Sequence, residues 1–372
     1  MLSWSSASLC FSSKAGDLDD SLQHYSDCIS HMQKEYGFKP EDLERIWPCA
    51  YDPIRDDAFG RASADDLDAI FVGYFFLALS DLMAARSRQL RNILRFIAHL
   101  LRIPKIKSGM EGVRSRVATW FYILDAKASA FQPGEGAVLQ AMGGQNGVVA
   151  DLNASFFTLP QAYNLTYPDE EYERDKAQFP FLGRMLYLVS MLHDITRLKH
   201  RVDCSAEIAK LRQDLDEHRD AIQSLQKAHN FQSRTRATFF VLSALYNTVE
   251  ISFSRALGPC QSRHSASAFA LDIIRLSQKL NTLYKTHFKG SPSSPPPTKI
   301  WPLPLVMAAI EVDDDVYREW VIDRLKMYEE TGGDHYKQAR KFVEVVYEKE
   351  SQAACRLDWE QIMVEYNDGL VI

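Results

Sequence analysis

Apolar residues in this chain recur at steps of three and four, a spacing that excludes most fold classes. Leu18, Leu22, Tyr25, Ile29 and Met32 place an amphipathic helix at about residues 17–36, ended by Gly37 and Pro40. Ser63 and Asp65 can cap a second helix through Ile70, Phe71, Tyr74, Phe75 and Leu79, apolar on most sides and therefore central. Further helices are expected at 90–101 (stopped by Pro104), 113–131 (ended by Pro133 and Gly134), 181–200, 205–228, 234–256 and 264–287. Four more are expected at 301–311, 314–329, 334–351 and 357–365, beyond a proline-rich loop at 291–298. Residues 132–178 carry several Gly, Asn and Pro and are expected to be irregular. No alternating strand pattern, hairpin signal or fixed repeat interrupts this series. The expected fold is all-α: a single large multi-helix globular domain with a C-terminal helical block after the proline-rich loop.

Composition narrows the function classes. The chain has 372 residues, 46% hydrophobic and 25% charged, with a net charge of −6. A length of this order buries a core without staples, and the acidic balance argues against a protein that coats nucleic acid. The six cysteines, Cys10, Cys28, Cys49, Cys204, Cys260 and Cys355, never stand at C-x-x-C spacing. Two thiolates must reach one ion from a single turn, so a cysteine metal site is not expected; scattered cysteines read as reduced core residues. The N-terminus lacks the charge and apolar run of a signal peptide. The longest apolar stretch, 69–79, is too short to span a bilayer, so no membrane partner is expected. The sequons at Asn153 and Asn164 then stay unmodified.

Four local patterns invite sharper readings. Residues 86–116 carry nine Lys and Arg with Glu111 as the one acid, and Arg88, Arg91, Arg95 and Arg102 share a helix face. Such a face is either an anion surface or a solvated face paired with acids elsewhere, such as those at 169–175; the second is the expectation. Ile208, Leu211, Leu215, His218, Ile222, Leu225 and His229 form an a/d seam of three heptads. It is either a pairing helix for a second subunit or one amphipathic helix packed on its own domain, and the polar His218 and His229 favour the latter. His193-Asp194 is the dipeptide of all-α metal phosphohydrolases but lacks their further ligands at domain spacing. The acid clusters at 169–173 and 313–315 lack the second metal motif of all-α terpene cyclases. No phosphate loop, nucleophile elbow or His-Glu-x-x-His pair is present, so no catalytic residue, metal ligand or cofactor site is expected.

The C-terminal block reads Ile300-Trp301-Pro302-Leu303-Pro304-Leu305 through Asp313-Asp314-Asp315, then Tyr317-Arg318-Glu319-Trp320 to Leu325, Ala339 to Tyr347, and Leu357-Asp358-Trp359. Upstream stand Val113-Arg114-Ser115-Arg116 through Trp120 and Leu124-Asp125, and a later helix from Phe239 to Arg255-Ala256-Leu257. In this order the segments resemble the fungal-specific transcription factor domain of zinc-cluster regulators. The resemblance covers most of residues 60–372. It makes Trp301, Pro302 and Trp359 structural anchors: two large apolar side chains and a proline suited to a first helical turn. The family's zinc cluster is missing here, because residues 1–59, an extension with one amphipathic helix, hold only Cys10, Cys28 and Cys49.

Two functions follow as expectations. One is a transcription-factor-like regulatory protein, nuclear and also cytoplasmic. It would act through protein partners, a homodimer or a small-molecule effector, with no sequence-specific DNA binding of its own. The alternative is an enzyme or ligand-binding protein of fungal secondary metabolism on the same helical fold. Arg116, Trp120, Tyr122, Asp125, Phe156 and Phe157 are the candidate effector pocket, with plain core packing as the simpler reading of the aromatics. Ile208, Leu211, Leu215, Ile222 and Leu225 are the candidate pairing seam.

Overall fold

Ser63 begins the first long helix with a reciprocal cap. Its Oγ accepts from the Asp66 N–H at 3.1 Å, while the Asp66 carboxylate accepts from the Ser63 N–H at 3.1 Å. The computed structural model describes residues 63–110, 112–129, 136–143, 169–198, 204–228, 233–257, 263–287, 300–353, 357, 362 and 363, together with Gln23, Ser26, Asp27 and Ser30. Those last four residues are helical and exposed, as the polar face of the helix expected at 17–36 requires; the rest of that helix and the loop at 291–298 lie outside the described residues. The described chain is all-α, with no strand among its residues. It divides into two compact units: residues 1–166, 329–338 and 363–371, and residues 167–328, 339–362 and 372.

In the first unit the helices are α1 (Ala64–Met83), α2 (Ser87–Arg102), α3 (Pro104–Ser108), α4 (Gly112–Ser129) and α5 (Ala137–Ala141). Helix α2 packs against all four others. Its Leu90, Ile97 and Leu100 are fully buried, and Phe96 meets Tyr74 of α1 at 4.7 Å between ring centroids. Each such side chain contributes about 1.5–3 kcal/mol relative to exposure. Pro104 ends α2, as its missing N–H dictates, and in the same place starts α3. The α1–α2 turn is tight: the Arg86 N–H donates to the Asp81 carbonyl at 2.8 Å and the Ala85 N–H to the Leu82 carbonyl at 3.1 Å. This closure puts Ala85 at φ 54°, where glycine is usual. Gly333, from the 329–338 segment, lies against it at φ 100°. A Cβ there would stand 2.7 Å from the Met83 carbonyl oxygen, so only glycine fits.

The second unit holds α6 (Asp169–Leu198), α7 (Ser205–Ala228), α8 (Ser233–Ala256), α9 (Arg263–His287) and α10 (Pro302–Glu311), and most of α11 (Asp315–Gly332) and α12 (Asp334–Ala353). Helix α8 is its centre, packed by α6, α7, α9 and α10. The irregular segment expected at 132–178 is corrected at both ends. Helix α5 forms inside it, and α6 starts at Asp169, twelve residues before the expected position 181, and runs through Pro180. Pro180 removes one helical hydrogen bond, yet the next residue, Phe181, is fully buried, and that packing outweighs the local penalty.

Candidate functional site

Of the residues expected to form one effector pocket, the four on α4 do not share one face. Trp120 and Tyr122 are two positions apart on α4, about 200° around a helix. Trp120 is 43% exposed, whereas Tyr122 is fully buried. Arg116 shares the Trp120 face and is half-buried. Asp125 is buried on the other side and acts within the fold: its Oδ2 accepts from the Val138 N–H at 2.8 Å and the Leu139 N–H at 3.1 Å, holding the start of α5. Phe156, Phe157 and Trp359 lie outside the described residues. Trp301 is the half-buried cap residue of α10, and Pro302 occupies its first turn, buried.

Two cations of the basic segment find their acids on the neighbouring helix α1. Arg86 pairs with Asp81 at 2.8 Å and Arg114 with Asp68 at 2.6 Å, both carboxylates of α1. Arg91 is buried, while Arg88 and Arg102 are exposed. The four arginines of the expected face therefore do not form one solvent-facing surface.

The heptad seam turns inward. Leu211, Leu215, His218 and Ile222 are buried and Ile208 and Leu225 half-buried, on a helix that packs against α6 and α8. A polar cluster holds this contact. The Arg212 guanidinium donates to both oxygens of the buried Glu250 carboxylate on α8, each at 2.8 Å, and to Asp216 at 2.8 Å. Glu250 also accepts from the Tyr246 hydroxyl, and Asp216 from Arg219. The hydrogen bonds that Arg212 donates to Glu250 chiefly raise the pKa of its guanidinium; burial first, then the hydrogen bond donated to the Glu250 carboxylate, raises that of Tyr246. His218 stands 3.2 Å from the Arg184 guanidinium. Burial first, then Arg184, pushes its pKa down. His193 on α6 is buried with no hydrogen-bond partner at Nε2, and burial, helped by Arg197, lowers its pKa to about 4.

One open cleft of about 450 Å³ lies between α8 and α9. Arg236 and Phe240, near the start of α8, face Arg275, Lys279, Thr282 and Thr286, toward the end of α9, so the helices run antiparallel. Positions 275, 279, 282 and 286 recur at helical steps and form one polar stripe. Phe240 and the buried Leu283 supply an apolar floor. Arg275 pairs with Asp272 at 2.8 Å with both side chains largely exposed, a contact worth about 0–1 kcal/mol that an incoming anion can replace. The Thr282 and Thr286 hydroxyls donate to the Gln278 and Thr282 carbonyls, so their oxygens remain acceptors toward the cleft. Three cations around an apolar floor suit a ligand with an anionic head and a flat apolar body. The stripe on α9 is legible in the sequence; its meeting with Arg236 across α8 is not.

Fold and site together define an all-α protein with an open basic cleft and no helix, among the described residues, long and apolar enough to cross a membrane. Over residues 1–372 the chain matches the fungal specific transcription factor domain, and it belongs to that family. Compared with curated proteins and with solved structures, it matches none. Membership of this family supports a role of transcription-regulator type.

Proposed function

We propose that this chain is a regulatory domain of fungal transcription control, working in the nucleus. It acts through protein partners or a small-molecule effector, and residues 1–372 contain no module that reads DNA sequence. The carrying observation is the family match along the whole chain. The cysteine spacing, which offers no pair to hold a zinc cluster, supports the absence of a DNA reader within these residues. The cleft between α8 and α9 supports the effector: its cations Arg236, Arg275 and Lys279 take an anionic head, and Phe240 and Leu283 take an aromatic body.

Phenyl phosphate is the probe, with benzyl alcohol as the neutral control. Calorimetric titration of the full chain is expected to show binding of phenyl phosphate alone, lost in the double variant R236E/K279E. An equal response to both compounds, or an undiminished response in the variant, removes the effector reading. Fluorescence anisotropy with labelled duplexes tests the other half. Weak, sequence-indifferent binding that fades with salt is expected; tight discrimination between duplexes by the chain alone contradicts it.

A further inference from the structure

Helix α11 carries an apolar stripe that its own unit leaves uncovered. Its inner face is used in full: Val321 and Leu325 are fully buried and Arg318 and Tyr328 nearly so. On the outer face Val316 is 72% exposed and Met327 44% exposed. Trp320 lies between them, half-buried, with the Arg324 guanidinium 4.8 Å above its ring. Arg324 also reaches the Met327 sulfur at 3.5 Å, but neither it nor Glu319, Asp323 or Lys326 has an ion-pair partner among the described residues. Positions 316, 320, 323 and 327 recur at steps of four, three and four, the seam spacing of a two-helix contact.

We infer that this face of α11 pairs with α11 of a second copy of the chain, antiparallel about a two-fold axis. The register follows from the residues. Centred between positions 321 and 322, a two-fold contact sets Val316 against Met327 of the other copy. It sets Trp320 against Asp323, whose carboxylate accepts from the indole N–H. The flanks then match in charge and kind: Glu319 meets Lys326, and Tyr317, 40% exposed, meets the cation Arg324. Each pair occurs twice, as an isologous interface demands. A parallel pairing would instead put Asp323 directly against Asp323, two like charges on the seam. About three turns of helix bury less than a standard interface, so the dimer is weak, with a dissociation constant on the order of micromolar.

Sedimentation equilibrium of the full chain over about 1–100 µM tests this. A monomer–dimer equilibrium is expected, weakened at least tenfold by Met327→Glu and by Glu319→Lys. The charge swap E319K/K326E restores it to within about threefold, because each exchanged charge again meets its opposite. Far-UV circular dichroism of each variant is expected to match the parent, since all the substituted positions are exposed. A chain that stays monomeric throughout, or a dimer indifferent to both single variants, overturns the proposal. A swap no better than Glu319→Lys alone overturns the antiparallel register.

Discussion

Ala85 holds a left-handed backbone at φ 54° because the turn after α1 needs it, not because alanine prefers it. Ala85→Gly is therefore expected to raise stability by about 0.5–1 kcal/mol, read as a higher urea midpoint with an unchanged slope. Asp125 is the opposite case, a residue well matched to its place. Its carboxylate is the acceptor for two backbone N–H groups at the start of α5. Asp125→Ala leaves both buried donors without it and is expected to cost about 2–3 kcal/mol in urea unfolding. From the sequence Asp125 stands among the candidate effector-pocket residues. Its actual partners are thirteen and fourteen residues away, and no periodicity encodes that contact.

Among elements, the joint between α10 and α11 depends on Arg318. Its Nε donates to the Ala309 carbonyl at 3.2 Å and one terminal nitrogen to the Val312 carbonyl at 3.0 Å, satisfying the end of α10. The other terminal nitrogen pairs with Asp315 at 2.8 Å, and the guanidinium lies 4.5 Å above the Tyr347 ring of α12. Lysine cannot reproduce that fork. Arg318→Lys is expected to cost about 1–2 kcal/mol and Arg318→Ala about 3 kcal/mol, measured as loss of thermal or urea stability. The docking of α7 rests likewise on Arg212 and Glu250. Arg212→Met alone leaves a buried carboxylate and destabilises, by less than the ~3–5 kcal/mol of a fully buried pair because Arg212 is 38% exposed. R212M/E250L is expected to recover most of that loss in the same assay. Most helix boundaries were legible, since caps, Pro104 and three- and four-residue spacing act locally. The start of α6 was not, because Pro180 signals a break that the burial of Phe181 overrides.

On the scale of the molecule, His193 makes stability depend on pH. Its folded pKa of about 4 lies below the ordinary 6.5, so between those values the unfolded chain binds more protons than the folded one. The contribution is complete above about pH 6.5 and is lost as pH falls toward 4, amounting to about 2–3 kcal/mol. His218, lowered by burial and Arg184, acts in the same sense, while Asp194, raised by burial, acts in the opposite sense. The difference between the parent and His193→Gln, followed by urea unfolding from pH 7 to pH 4, isolates the His193 share. A parallel loss in both proteins contradicts this assignment. The sequence by itself determined the all-α class and the family, because helical spacing, proline stops and the order of the Trp301–Trp359 segments are properties of neighbours along the chain. It also held the α9 polar stripe and the α11 seam as patterns. Only the tertiary structure decided which patterns remain outside: the α7 seam is consumed by α6 and α8, Tyr122 and Asp125 turn inward, and the α11 stripe stays exposed. The physical reason is that a period of 3.6 fixes which residues share a face, whereas the elements packed against that face decide whether it meets solvent.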